Sequence, residues 1–235
     1  MASDSINHFI ETDLADHNIA FQHCPKHERS KSPNSYIMLN AKSGSRTILH
    51  TNLGLPELTL VDFHRVKDIS KYAWVHFEGR PNIPEIVKMM ESIQGQVKIS
   101  LEMEKLNRNY EPLLPLVNVV FVSKEYAQSQ GFSNMTDLVT NFHPELKIVI
   151  ICPWGDQGAA ARDSDGKIIH VTAFVPPHGV VDTIGAGDTF NATVVACLSQ
   201  DQDLKTALVT GCKVAGAKVG QIGYQGLKSA FYSSI

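Results

Sequence analysis

The sequence lacks any stretch that looks built for a membrane or for export. It has no run of about 18 or more apolar residues, the length that marks a transmembrane helix. Residues 1–8 carry neither the basic segment nor the apolar core of a secretory signal peptide. These features predict a cytoplasmic protein with no membrane partner.

Cysteine is also scarce. The four cysteines lie far apart in the chain, at Cys24, Cys152, Cys197 and Cys212, and three of them stand among apolar or small residues. This spacing predicts buried thiols in a reducing compartment rather than a disulfide framework. Cys24 and two neighbouring histidines in 23–27 have no second pair of metal ligands nearby, so we interpret that segment as a loop rather than a zinc site.

Neither strong charge nor repetition is present. The formal net charge is −3 and the sequence pI is about 6.3, which does not predict a broad basic surface for nucleic acid. No internal repeat and no low-complexity tract is visible. The 235 residues are 43% hydrophobic and 19% charged, and this composition predicts a single globular domain over 1–235.

The chain instead shows alternating strand and helix signals. Four apolar strand candidates alternate with helical segments, at 72–77, 97–101, 117–122 and 146–152. Such alternation predicts an α/β fold with a parallel sheet whose ligands bind beyond the carboxyl ends of the strands. Two hairpins, one at about 35–50 with its turn at 41–45 and one at 159–175, and two helices, at 189–199 and 204–219, complete the prediction, with 227–235 as a tail. A helix over 2–18, capped by Ser3 or Ser5, and a short helix at about 58–66 are also predicted.

Polar residues recur at the ends of the four predicted strands. Each alone is typical of a solvated loop, but their repetition at one sheet edge favours a binding site: Glu78, Arg80, Glu102, Lys105, Ser123, Lys124 and Asp156.

The most informative stretch is 180–191, an extended run followed by a glycine-rich bend and a helix start. Gly185 and Gly187 allow a ligand to approach the backbone, and a helix N-terminus offers free N–H groups to an anion. Asp188 beside such a site has two interpretations. It is either an N-cap residue or a base that takes a proton from a hydroxyl attacking a bound phosphate.

At 182–188 the sequence resembles the C-terminal signature of the ribokinase-like PfkB carbohydrate kinases. The segments 43–49, 76–80, 121–124, 188–192 and 211–216 resemble the fructose-phosphorylating members of that family. The resemblance covers nearly the whole chain. It implies a three-layer sandwich with a mostly parallel sheet and a small β lid hairpin at about 35–50.

The resemblance also implies an activity, the ATP-dependent phosphorylation of D-fructose to fructose 1-phosphate with Mg²⁺. Asp188 would be the base, and it would also bind substrate. Gly185, Ala186 and Gly187 would form the anion hole for the transferring phosphoryl group. Such transfer requires positioning and charge stabilisation.

Further roles follow from the resemblance alone. Arg46 would reach the ATP phosphates, and Arg80 and Lys105 would face the sugar and phosphate side. The lid strands would pair in a homodimer. The remaining ATP-binding residues would be Trp154, Gly155, Asp156, Gln157, Gly158, Cys212 and Gly216.

Two departures from the family pattern leave alternatives open. Family members carry N-terminal strands with an Asp and a Gly-Gly-Asn segment for the sugar, and we expect this domain to lack them. The usual Asn-x-x-Glu is replaced by 123–126, Ser-Lys-Glu-Tyr, so no Mg²⁺ ligand is assigned. The alternatives are an inactive truncated protein that binds nucleotide or a partner subunit, and a family kinase for another sugar or a nucleoside.

Overall fold

A computed structural model describes residues 1–39 and 46–232. Its contacts divide the chain into two compact units, Met1–Asp68 and Ile69–Ile235. The single domain over 1–235 stays a prediction.

The first unit begins with helix α1, Ser5–Asp16. Asp4, rather than the predicted Ser3 or Ser5, is its N-cap, because its carboxylate accepts a hydrogen bond of 2.9 Å from the N–H of Asn7. The same carboxylate accepts from the N–H of Ser32 at 2.8 Å and from its hydroxyl at 2.7 Å. Asp4 therefore both caps the helix and ties it to the following loop.

The predicted hairpin is confirmed as strands β1, Asn34–Leu39, and β2, Arg46–Thr51, which pair antiparallel. Tyr36 lies opposite Leu49, and Ile37 lies opposite Ile48. The turn predicted at 41–45 lies outside the described residues. Helix α2, Leu60–Phe63, is shorter than the predicted 58–66 and starts with a capping box between Thr59 and Asp62.

The second unit contains a six-stranded sheet whose strand order follows the chain order. Strands β3, Trp74–Glu78, β4, Lys98–Met103, β5, Val119–Val122, and β6, Val149–Pro153, are parallel. Strands β7, Ala159–Arg162, and β8, Ile168–Val171, extend the sheet antiparallel as the predicted second hairpin. The sequence prediction of a mostly parallel α/β sheet is confirmed.

Helices connect the parallel strands, because neighbouring parallel strands need a crossover connection. They are α3, Ile83–Ile93, α4, Lys124–Ser129, and α5, Met135–Asn141. Short 3₁₀ helices occupy Ile69–Lys71, Glu111–Leu116 and Gly155–Gln157.

The C-terminal helices cover one face of this sheet. Helices α6, Ala186–Ser199, and α7, Leu204–Val219, pack with β5, β6 and β7 in one apolar core. Their close approach depends on Gly211, where a Cβ would come within 2.8 Å of Val194 and 2.9 Å of Phe190. The predicted tail was wrong, because Leu227–Tyr232 forms helix α8 and its Phe231 packs against the core.

No helix in the described ranges is both long and apolar enough to cross a bilayer.

Candidate active site

The N-terminus of α6 is the centre of the candidate site. The helix begins at Ala186 rather than at the expected Thr189, and its N-cap is Gly185. Asp188 therefore lies inside the first turn, and its interpretation as an N-cap residue was wrong. Glycine has no side chain to cap the helix, so first-turn N–H groups can meet a ligand. The N–H of Ala186 donates a long hydrogen bond of 3.3 Å to the carbonyl oxygen of Thr183.

The bend before the helix requires glycine at position 185. Gly185 has φ of 71°, in the left-handed region. A Cβ at this position would lie 1.8 Å from the hydroxyl oxygen of Tyr224. Both the backbone angle and the packing of Tyr224 therefore exclude a larger residue.

An apolar cavity of about 360 Å³ opens on one side of this helix start. Ala186 and Gly187 line it, together with five of the residues predicted to bind ATP: Gly155, Asp156, Gly158, Cys212 and Gly216. Phe174, Val175 and Pro176, from the segment after β8, form much of the remaining wall. The apolar cavity stays open because residue 216 is glycine. A Cβ at Gly216 would lie 2.5 Å from the carbonyl oxygen of Phe174.

A second, acidic cavity of about 630 Å³ lies against Asp188. Its walls come from β3, from the end of β4 and from the first three turns of α6. Its polar residues are His76, Glu78, Glu102, Glu104, Asp188 and Asn191. Burial raises the pKa of Glu102 to about 7, and the nearby charges of Asp188, Glu104 and Glu78 act in the same direction. The hydrogen bond from Asn191 to Glu102 partly opposes this rise in pKa.

His76 forms the inner side of the acidic cavity. Its Nδ1 lies 2.7 Å from the hydroxyl of Ser100, which also accepts a 2.7 Å hydrogen bond from the indole of Trp74. Burial lowers the pKa of His76, and the charge of Asp188 partly opposes that change. The neutral imidazole is therefore held in a fixed orientation toward the cavity.

The other predicted site residues lie near these cavities or elsewhere in the fold. Arg80 follows β3 and contacts Glu78 at 3.4 Å, and Lys105 follows β4 and pairs with Glu104 at 2.6 Å. In each pair the carboxylate lines the acidic cavity, whereas Arg80 and Lys105 do not line it. Trp154 is buried below the ammonium of Lys124, 5.6 Å from the ring centre, and Gln157 ends the adjacent 3₁₀ helix. Arg46 starts β2 in the first unit.

The described residues contain no group of three or more His, Cys, Asp or Glu side chains placed to share a metal ion. The acidic cavity supplies oxygen donors of the type that Mg²⁺ prefers, but they do not form an all-protein cage. In phosphoryl-transfer sites Mg²⁺ commonly keeps its waters and binds mainly through the substrate phosphates.

Residues 3–229 match the model of the pfkB family carbohydrate kinases, and the chain belongs to that family. The chain is therefore a sugar kinase by family, an enzyme of the phosphotransferase class, and this expectation from the sequence is confirmed.

Among curated relatives, the chain is similar to ketohexokinase of Mus musculus. The two are 34% identical over 238 residues, a match covering 97% of this chain and 79% of the mouse protein. A shorter match of 69 residues, at 41% identity, covers 29% of this chain and 22% of a putative 1-phosphofructokinase of Mycoplasma genitalium.

Solved structures show the same fold at lower identity. The adenosine kinase of Sinorhizobium meliloti superposes with a TM-score of 0.83 at 18% identity, covering 100% of this chain and 75% of that one. The ribokinase of Cryptococcus neoformans var. grubii serotype A, solved in complex with ADP, gives 0.79 at 16% identity, covering 99% and 81%. The ribokinase-like fold predicted from the sequence is confirmed.

Several residues of the site were not predicted from the sequence. Asn191 and His76 lie in segments that carry the family resemblance, which assigns them no role, and 174–176 lies at the end of the predicted second hairpin. Lys218 lies in a helix rich in Ala, Gly and Val that also carries Lys205 and Lys213, so no local signal distinguishes it.

Proposed function

We propose that this protein transfers the γ-phosphoryl group of ATP to the 1-hydroxyl of D-fructose, giving fructose 1-phosphate. One observation carries the proposal. Consecutive residues at one helix N-terminus line two different cavities, with Ala186 and Gly187 on the apolar one and Asp188 on the acidic one. A nucleotide and an acceptor alcohol placed in these cavities would meet at the N–H groups of the first turn. The similarity to mouse ketohexokinase supports a ketohexose as acceptor.

The apolar cavity is the proposed nucleotide side. Flat aromatic rings bind in slots lined by apolar side chains, and Gly216 keeps this slot open beside Phe174. Cys212 lies in the same wall and is buried, and its pKa is raised to about 11, so we assign it to packing rather than reactivity. Trp154, Gln157 and Arg46 are proposed as ATP-binding residues on the resemblance alone. Mg²⁺ would enter as the ATP complex.

The acidic cavity is the proposed sugar side. Sugar hydroxyls donate hydrogen bonds, and carboxylates accept them, which suits Glu78, Glu102 and Glu104. Arg80 and Lys105 stand at the rim in exposed ion pairs that cost little to exchange for a new partner, since surface pairs contribute about 0–1 kcal/mol. We propose that they meet the sugar or its phosphate.

The proposed chemical step places Asp188 as base. The carboxylate takes the proton of the 1-hydroxyl while that oxygen bonds to the γ-phosphorus and the bond from phosphorus to the β–γ bridging oxygen breaks. The N–H groups of Gly185, Ala186 and Gly187 would stabilise the charge on the transferring group. ADP and fructose 1-phosphate leave.

Sugar-dependent release of ADP by the purified protein tests this proposal. We expect turnover with ATP and fructose, and we expect Asp188→Asn to lower kcat by about 1,000-fold or more, because a positioned base contributes about 100- to 10,000-fold. Asp165→Asn, in the exposed turn between β7 and β8, is the matched control and should keep full activity.

The same assay separates the alternatives. ATP raising the melting temperature without any sugar-dependent rate would indicate a nucleotide-binding protein without turnover. A higher kcat/KM for an aldose or a nucleoside than for fructose would retain the kinase and reject the proposed substrate. Full activity of Asp188→Asn would reject the assignment of the base.

We also propose that the β1–β2 hairpin forms a homodimer with a second copy. Its apolar side chains are unusually exposed, with Tyr36 at 66%, Met38 at 54%, Ile48 at 52% and Leu49 at 55%. Sedimentation of wild type and Leu49→Lys tests this contact. A monomeric wild type, or a variant that dimerises equally well, would contradict it.

A further inference from the structure

Lys218 is a buried cation next to the candidate anion site. It lies near the C-terminal end of α7, and its side chain is only 1% exposed. A fully buried lysine is rare in proteins, because removing the ammonium from water is costly unless a partner compensates it. The contacts of this ammonium therefore indicate what it stabilises.

Its partner is Asp182, the first residue of the family signature. The ammonium Nζ lies 2.7 Å from Oδ2 of Asp182 and donates a further hydrogen bond of 3.1 Å to the carbonyl oxygen of the same residue. The other oxygen, Oδ1, accepts a 2.9 Å hydrogen bond from the N–H of Ile184. The hydrogen bond from Lys218 holds the pKa of Asp182 below its usual range.

The same ammonium reaches the other side of the glycine bend. It lies 5.3 Å from the ring centre of Tyr224, a distance suited to a cation–π contact. The hydroxyl of Tyr224 in turn occupies the place that a side chain of Gly185 would need. Lys218 therefore contacts both Asp182, at the start of the glycine bend, and Tyr224, which packs over Gly185.

The neighbouring backbone adds to this connection. The N–H groups of Val181 and Asp182 both donate to the carbonyl oxygen of Val219, at 2.7 Å and 3.1 Å. The end of α7 thus supports the loop that leads into α6 through main-chain and side-chain hydrogen bonds. Within 1–39 and 46–232, the charged contacts of this loop come from Lys218.

We propose that Lys218 is a positioning residue, which fixes the loop 182–185 so that the N–H groups of Gly185, Ala186 and Gly187 stay directed at the transferring phosphoryl group. The inference rests on the proposed function of these N–H groups. Preorganised donors stabilise a transition state because they need no rearrangement when the charge develops. An ammonium held beside the loop fixes its geometry in a way that a neutral side chain of similar length cannot.

The test compares Lys218→Met with wild type and with Lys205→Met, which changes an exposed lysine on the same helix. We expect Lys218→Met to lower kcat by about 100-fold, the effect of losing one well-placed donor to the transition state. The KM values for ATP and fructose should change by less than about 3-fold, since the groups proposed to bind the ground state are untouched. Lys205→Met should match wild type.

A second variant serves as the control for effects on folding. Lys218→Met/Asp182→Asn removes both charges, so it avoids leaving Asp182 without its cation. We expect it to recover much of the lost stability and little of the lost kcat. A kcat restored to near wild type in this variant, or kept in Lys218→Met, would overturn the positioning role.

Amide hydrogen exchange separates this inference from the proposed function. In Lys218→Met we expect faster exchange in the peptide covering 183–189 than in peptides from β4 and β5, whatever the enzyme's turnover. A wild type without sugar-dependent turnover contradicts the proposed function alone. Unchanged exchange at 183–189 contradicts the role of Lys218.

Discussion

The side-chain amide of Asn191 donates a hydrogen bond of 2.8 Å to Oε1 of Glu102 and thereby joins the second turn of α6 to β4. Asn191 is only 7% exposed, and its Oδ1 has no partner among the described residues. A buried carbonyl oxygen without a partner costs free energy, so it indicates a place for a ligand hydroxyl or a water. Both residues line the cavity that we assign to the sugar.

Glu102→Gln should stabilise the protein at high pH. The folded pKa of Glu102 is about 7, above the usual 4.5, so the folded state holds its proton more tightly than the unfolded state. The free energy of unfolding should therefore fall as pH rises from about 4.5 to about 7 and then level off. At pH 8 the free energy of unfolding of the variant should exceed that of wild type by on the order of 2 kcal/mol. This is less than the whole pKa shift would correspond to, because the carboxyl of Glu102 keeps some contact with water.

Urea unfolding at pH 5 and pH 8 measures this difference. Glu91→Gln, an exposed change on α3, is the control and should show no pH-dependent gain. Equal effects of Glu102→Gln at the two pH values would show that burial does not perturb this carboxyl.

Gly187→Ala should separate stability from activity. A Cβ at position 187 meets no atom within 4 Å, and alanine favours helices over glycine by up to about 1 kcal/mol. We expect an unchanged or slightly higher melting temperature, but a kcat lowered about tenfold or more, because a methyl group obstructs close approach to the backbone. A variant that keeps wild-type kcat would exclude Gly187 from the anion hole.

Gly185→Ala should behave differently. Its left-handed backbone costs roughly 1–2 kcal/mol for an L-residue, and the new methyl group would collide with the hydroxyl of Tyr224. We expect a clear loss of melting temperature that Gly185→Ala/Tyr224→Phe partly recovers, since the 1.8 Å contact involves the hydroxyl. No recovery in the double variant would assign the loss to the backbone angle and to the ring of Tyr224, whose Cζ would lie 2.8 Å from the new methyl group.

Much of the second unit could be predicted from local sequence patterns. The apolar runs 117–122 and 146–152 fell on buried parallel strands, because strands covered on both faces need continuous apolar sequence. The helix 204–219 was also predicted at its observed bounds, since Asp203 caps it and Gly220 follows it. In these segments local propensity and tertiary packing agree.

The candidate site was harder to predict from the sequence, because its geometry depends on long-range contacts. The start of α6 was placed too late, since Gly187 and Asp188 are poor helix formers that the fold nevertheless holds in the first turn. Asn191 meets Glu102 across 89 positions of sequence, and Lys218 meets Asp182 across 36. Neither pairing has a local signal, so sequence reasoning found the signature and missed the residues that support it.

Gly216→Ala tests the assignment of the apolar cavity. The new methyl group would lie 2.5 Å from the carbonyl oxygen and 2.6 Å from the ring of Phe174, so α7 or the 173–176 segment must shift. We expect the Kd for ADP to rise about tenfold or more, because a displaced wall narrows the slot. Calorimetric titration with ADP measures it, and unchanged affinity would place the nucleotide elsewhere.

Arg162 offers a prediction about stability alone. This residue is 5% exposed at the end of β7, and its guanidinium donates to the carbonyl oxygens of Val139 at 2.9 Å, Thr140 at 3.3 Å and His143 at 2.8 Å. These carbonyls lie at the C-terminal end of α5, where a helix leaves its last acceptors without partners. Arg162→Met should lower the free energy of unfolding by about 2–4 kcal/mol, because it leaves several buried acceptors without partners.

Lys167→Met, an exposed change in the same hairpin, is the control and should lower the free energy of unfolding by less than about 0.5 kcal/mol. Chemical denaturation of both variants measures the difference, and KM for ATP should be unchanged in each because neither residue lines the two cavities. A loss below about 1 kcal/mol for Arg162→Met would mean that water replaces the guanidinium at these carbonyls.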